Sequence, residues 1–118
     1  MIRSKAIKKI KLNGGLENTV STVEIRDDRS LVIEFYDFSP EAENLLGNDV
    51  AYTLTIDVTT KIRVLARLME ENGLIPNFLE DDDLLLQLLE ERFKDYFGVQ
   101  EWLQTNGIAY RKEFDPWA

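Results

Sequence analysis

Val50-Ala51-Tyr52-Thr53-Leu54-Thr55-Ile56-Asp57-Val58 is the stretch that decides the fold. Val50, Tyr52, Leu54, Ile56 and Val58 alternate with Ala51, Thr53, Thr55 and Asp57. Successive side chains of a strand point to opposite faces. The alternation therefore predicts a strand with one buried face and one wet face, as in an antiparallel sheet covered on one side.

Upstream the same period recurs. Leu31, Ile33 and Phe35 share one parity in Leu31–Asp37, and Val23 and Ile25 share one in Thr19–Arg26. Only Asp27-Asp28-Arg29-Ser30 separates these two segments, which predicts a β-hairpin. It lacks the Asn-Gly or Asp-Gly pair that would fix its turn type. Ser4–Leu12 reads as a first strand, with Ala6, Lys8, Ile10 and Leu12 on one parity and Lys5, Ile7, Lys9 and Lys11 on the other. Such lysines suit an edge strand, because charge discourages pairing with a foreign strand. Asn13-Gly14-Gly15 supplies turn residues. Ser39-Pro40-Glu41 carries the signals of a short helix start, and Gly47-Asn48-Asp49 stops it.

Downstream the period changes to that of a helix. Thr59 or Thr60 is the expected cap of a helix with Ile62, Leu65, Ala66 and Met69 inward, ended by Gly73. A second helix is expected over 81–97, its stripe made by Leu85, Leu88, Leu89, Phe93 and Tyr96, with Gly98 as the break. A third spans 99–106 with Trp102 and Leu103 inward and Gly107 at its end. Ile108, Tyr110 and Phe114 then alternate in a closing strand over 108–114. The expected architecture is a single α+β domain over 1–118: a mostly antiparallel sheet of about four to five strands with about three helices on one face. Tyr52, Leu54 and Ile56 are expected to pack against Leu65, Leu85, Leu88 and Leu89.

Composition narrows the chemistry. The 118 residues include 14 Lys and Arg, 22 Asp and Glu, no His and no Cys, for a net charge of −8. Imidazole bases, histidine ligands, thiol nucleophiles, disulfides and cysteine-bound metals are therefore excluded. No Gly-x-Gly-x-x-Gly, Walker A or Gly-x-Ser-x-Gly motif occurs, so no cofactor, catalytic residue or metal ligand is assigned. Glu34 and Asp57 are the strand-borne acids to inspect for a carboxylate or metal-dependent hydrolase, the least favoured reading. The chain is expected to act in the cytoplasm. Its basic start lacks the apolar run of a signal peptide, and no stretch is long enough to span a membrane. An acidic chain repels nucleic acid and favours a basic protein partner.

The acids concentrate between Glu80 and Glu101. Glu80, Asp81, Asp82 and Asp83 open the second helix, where carboxylates oppose the helix dipole. They lack the spacing of a calcium loop. With Glu90, Glu91, Asp95 and Glu101 they outnumber Arg92 and Lys94, and together they are the candidate partner-binding surface. Trp117, beyond Pro116, is the candidate aromatic anchor, by core-edge packing or by partner contact.

Three further stretches carry a resemblance: Leu31–Glu43 (LVIEFYDFSPEAE), Gly47–Asp57 (GNDVAYTLTID), and Trp102–Tyr110 (WLQTNGIAY) with the terminal Trp117-Ala118. In these the chain, from Leu31 to Ala118, resembles small bacterial immunity-type proteins of polymorphic or contact-dependent toxin systems. The resemblance implies a soluble inhibitor that binds one cognate toxin and covers its active site. It carries over no functional residue. A structural or homo-oligomeric adaptor, for instance a homodimer, is the alternative left open.

Overall fold

The computed structural model describes residues 6–15, 17–38, 50–76 and 80–115. The short helix expected after Ser39, and Trp117, lie outside the described residues. The architecture is α+β. Five strands, β1 (Ala6–Lys11), β2 (Thr19–Arg26), β3 (Leu31–Asp37), β4 (Val50–Ile56) and β5 (Arg111–Asp115), form an antiparallel sheet in the order β1-β2-β3-β4-β5. Three helices, α1 (Val58–Glu71), α2 (Asp82–Arg92) and α3 (Tyr96–Thr105), lie between β4 and β5 in the chain.

The alternation fixes which face the helices cover. Val23 and Ile25, Leu31, Ile33 and Phe35, and Leu54 and Ile56 join one core with Leu65 and Leu68 of α1, Leu85, Leu88 and Leu89 of α2, and Val99, Trp102 and Leu103 of α3. Tyr52 packs at the margin of this core, partly buried. Each fully buried Leu or Ile contributes roughly 1.5–3 kcal/mol relative to exposure. In β1, Ile10 lies opposite Val23 and Lys8 opposite Ile25, with a register irregularity between Ala6 and Lys8. The core parity of this edge strand thus carries a lysine, and Lys8 leaves the core margin to pair with Asp83.

Three boundaries differ from the sequence expectation, the first two through an aspartate. β4 ends at Ile56, not at Val58, because Asp57 leaves the sheet to cap α1, accepting from the Thr60 N–H at 2.7 Å. The cap is therefore Asp57 rather than Thr59 or Thr60. The helix expected over 81–97 is two helices. α2 ends at Arg92, Phe93 is extended, and Asp95 caps α3 by accepting from the Gly98 N–H at 2.9 Å. Gly98 is thus inside the first turn of α3 and not a break. The closing strand begins at Arg111, because Gly107 (φ +64°) ends α3 and Ile108 donates its N–H to Leu103 O.

The α2–α3 junction is fastened to the sheet. Gly14 donates its N–H to Lys94 O at 2.7 Å, and a Cβ at Gly14 would lie 2.5 Å from Lys94 Cβ. Only glycine permits that approach. Tyr96 donates its N–H to the buried Ser21 Oγ at 3.0 Å, which anchors the first turn of α3 on β2.

Candidate functional site

The acidic segment at the start of α2 divides into side chains with different tasks. Asp81 is the helix cap, accepting from the Leu84 N–H at 3.1 Å. Asp82 turns inward. Its Oδ1 lies 2.8 Å from Lys61 Nζ, a charge contact off the hydrogen-bond axis, and its Oδ2 accepts from Arg29 Nη2 at 2.6 Å. Glu80 accepts from Lys61 Nζ at 2.6 Å and from Arg29 Nε at 3.4 Å. The result is a network of two carboxylates and two cations that joins the β2–β3 turn, the first turn of α1 and the approach to α2.

Lys61 is the centre of that network and is only 1% exposed. Sequence reasoning passed over it, although Lys61, Leu65 and Leu68 fall on one stripe of α1. That spacing was the available signal. An ammonium so deep is tolerable only when paired and hydrogen-bonded. Arg29 was missed as well. It occupies a left-handed conformation (φ +70°) in the hairpin turn, where Gly or Asn is the usual choice. The turn is closed by the Arg29 N–H on Arg26 O at 2.8 Å and by Asp28, which accepts from Ser30 N–H and Oγ. Ion pairs with Glu80 and Asp82 hold the side chain of this strained residue.

The titration behaviour follows. Hydrogen bonds from Lys61 and then from Arg29 hold Glu80 below the ordinary carboxylate range. The hydrogen bond with Glu80, then the charge of Asp82, pushes Arg29 further up. Asp57 is also lowered, chiefly by the Thr60 N–H.

The remaining candidates lie on the surface. Asp83, Glu90 and Glu91 project from the exposed side of α2, with Gln87 between them donating to Glu91 at 3.1 Å. Asp83 pairs with Lys8 of β1 yet stays 83% exposed. Asp95 is occupied as the α3 cap. Glu101 lines an open groove of about 600 Å³ between the helices, together with Glu71, Arg92, Lys94 and Trp102. Glu71 organises its floor, accepting from Trp102 Nε1 at 2.9 Å and from Arg92 Nε at 3.3 Å. The structure thus gathers Glu80 and Asp82 in the ion network and Asp83, Glu90 and Glu91 on one ridge. Asp95 and Glu101 belong to the α3 side.

Glu34 and Asp57 do not form a carboxylate pair: Glu34 sits in β3 opposite Thr53, whereas Asp57 caps α1. An aromatic group occupies the other end of the sheet. Phe35 lies 4.8 Å from Phe97 and 6.0 Å from Tyr52, and Tyr52 lies 4.9 Å from Phe114. Tyr96 is buried behind them with its hydroxyl unpartnered, and burial pushes that phenol up to about 12.

Among the described residues no helix is long and apolar enough to cross a membrane. Comparison with protein-family models, with curated proteins and with solved structures gives no match.

Proposed function

We propose that the protein is an immunity-type binding module that neutralises a cognate basic toxin by direct contact, with the exposed ridge of α2 as its docking surface. The observation that carries this reading is the division of labour among the acids. Glu80 and Asp82 are held by Lys61 and Arg29, whereas Glu90 and Glu91 stand exposed beside Asp83 on a core-anchored helix. Carboxylates fixed on one ridge project a field that draws a basic partner in and sets its orientation. The absence of His and Cys from the sequence is compatible with a binding role, since it removes imidazole and thiol chemistry. The setting is the bacterial cytoplasm, where such an inhibitor meets its toxin.

The reading predicts that a toxin domain is encoded immediately upstream, and the test is co-expression with it. The reading predicts that this domain arrests growth alone, that co-expression restores growth, and that the two proteins co-purify in fixed stoichiometry. Arrest that persists despite soluble, folded protein contradicts it.

A further inference from the structure

Phe114, Tyr52, Phe35 and Phe97 form a row of rings on the helix-bearing side of the sheet, from its β5 edge to α3. Phe114 lies 4.9 Å from Tyr52, Tyr52 6.0 Å from Phe35, and Phe35 4.8 Å from Phe97. The ends of the row are half exposed, Phe114 at 50% and Phe97 at 49%. The chain places its own cation toward one end, where Lys112 Nζ lies 5.3 Å from the centre of the Tyr52 ring. At the other end Phe35 and Phe97, inclined at 59° to one another, wall a cavity of about 390 Å³ together with Gly15 and Asp95. The Gly14 N–H on Lys94 O holds this turn against the start of α3, which sets Gly15 beside Asp95.

Asp95 distinguishes this cavity from a merely apolar one. Glu71, Glu80, Asp82 and Asp83 each face a cation. Asp95 Oδ1 accepts from the Gly98 N–H, but among the described residues no cation pairs with this carboxylate, and its Oδ2 accepts no hydrogen bond. Aromatic faces attract cations, and no cation of the described residues lies over Phe35 or Phe97. From this arrangement we infer that the cavity takes an arginine side chain presented by a protein partner, with the guanidinium stacked on Phe97 and donating to Asp95. A guanidinium is planar, so it lies on a ring while its edge donates to a carboxylate. An ammonium has no such plane. The exposed part of Phe97 selects a protein over a small ligand, because a protein surface covers the ring around the seated side chain. The net charge of −8 favours a basic protein. Phe97 and Asp95 belong to α3 and its cap rather than to the α2 ridge, so the inference does not rest on the proposed function.

An NMR titration of the isotope-labelled full chain with Nα-acetyl-arginine amide, at constant ionic strength, tests it. Saturable shifts centred on Gly15, Asp95, Phe97 and Gly98 are expected, with a Kd on the order of 10 mM, as suits one side chain cut from its protein. The citrulline analogue, uncharged and nearly the same shape, should bind several-fold more weakly, and the lysine analogue should fall between the two. Asp95→Asn keeps a capping side chain and removes the charge. Phe97→Leu keeps an apolar side chain and removes the ring. Each should weaken arginine binding by roughly three-fold or more while thermal unfolding stays nearly unchanged. No saturable shift up to about 100 mM overturns the inference. So does equal binding of the citrulline analogue, or undiminished binding by either variant. Free arginine that binds roughly ten-fold more tightly than the blocked amide also overturns it, because the cavity would then read a free amino acid and not a side chain within a protein.

Discussion

Lys61 Nζ lies 2.8 Å from Asp82 Oδ1, with the two side chains 1% and 3% exposed. Two charges taken out of water together hold one another. Each also has a second partner, Glu80 for Lys61 and Arg29 for Asp82. Lys61→Met removes the one cation that is itself buried and leaves Asp82 to Arg29 alone, so it should destabilise the fold toward the lower end of the roughly 3–5 kcal/mol that breaking a buried pair costs. Asp82→Asn should cost less, since a neutral amide can still accept from Arg29. Urea unfolding of the two variants checks the order. Equal, small losses would mean that the network is incidental.

Acid should expose the same network. Glu80 and Asp57 both titrate below their ordinary values of 4.5 and 3.8. A carboxylate lowered in the fold contributes stability that is present above its unfolded value and lost as pH falls through the folded one. The melting temperature should thus hold near neutrality and fall as pH drops below the ordinary carboxylate range. In Glu80→Gln the neutral-pH value should be lower and the acid limb shallower. Melting curves at a series of pH values decide this, and parallel limbs for wild type and variant would contradict it.

Alkali tests the aromatic end. Tyr96 is fully buried, its hydroxyl has no partner, and its phenol is raised to about 12. A phenol raised in the fold favours the native state below its unfolded pKa, near 10, and that contribution is lost between there and about 12. Tyr96→Phe removes an unsatisfied polar atom, so at neutral pH it should be neutral or mildly stabilising. Between about pH 10 and 12 it should lose less stability than wild type. Denaturant titrations at both pH values check the difference. A strongly destabilised Tyr96→Phe would reveal an unrecognised partner for the hydroxyl.

The sheet was legible because one parity of its strands is apolar throughout. Leu31, Ile33 and Phe35, with Tyr52, Leu54 and Ile56, became the helix-covered face, while Val32 and Ala51 break the alternation and are buried on the other face, which is therefore not uniformly wet. What escaped depended on tertiary partners. Leu85, Leu88, Leu89, Phe93 and Tyr96 keep helical spacing across a true break, so periodicity alone joined α2 to α3. The break comes from Asp95 capping a new helix while Ser21 and Gly14 receive the junction. The acids were legible as a cluster but not in their roles. Asp57, Asp81 and Asp95 are caps and Asp82 is a buried ion. Only Lys61, on the core stripe of α1, foreshadowed that a carboxylate had to meet it inside.

This division decides which charges report on recognition alone. Reversing Asp81, Asp82 and Asp83 together would remove a cap and a buried ion partner, confounding recognition with stability. Glu90 and Glu91 are exposed on α2 and remote from the Lys61 network, so Glu90→Lys with Glu91→Lys should change stability by less than about 1 kcal/mol. The measurement that bears most directly on the proposed function is the association rate of this double variant with the cognate toxin, read by stopped flow at low and at high salt. The account predicts association slower by roughly ten-fold at low ionic strength, converging with wild type near 1 M salt, where charges are screened beyond about 3 Å. A folded double variant that associates at the wild-type rate in low salt would contradict it.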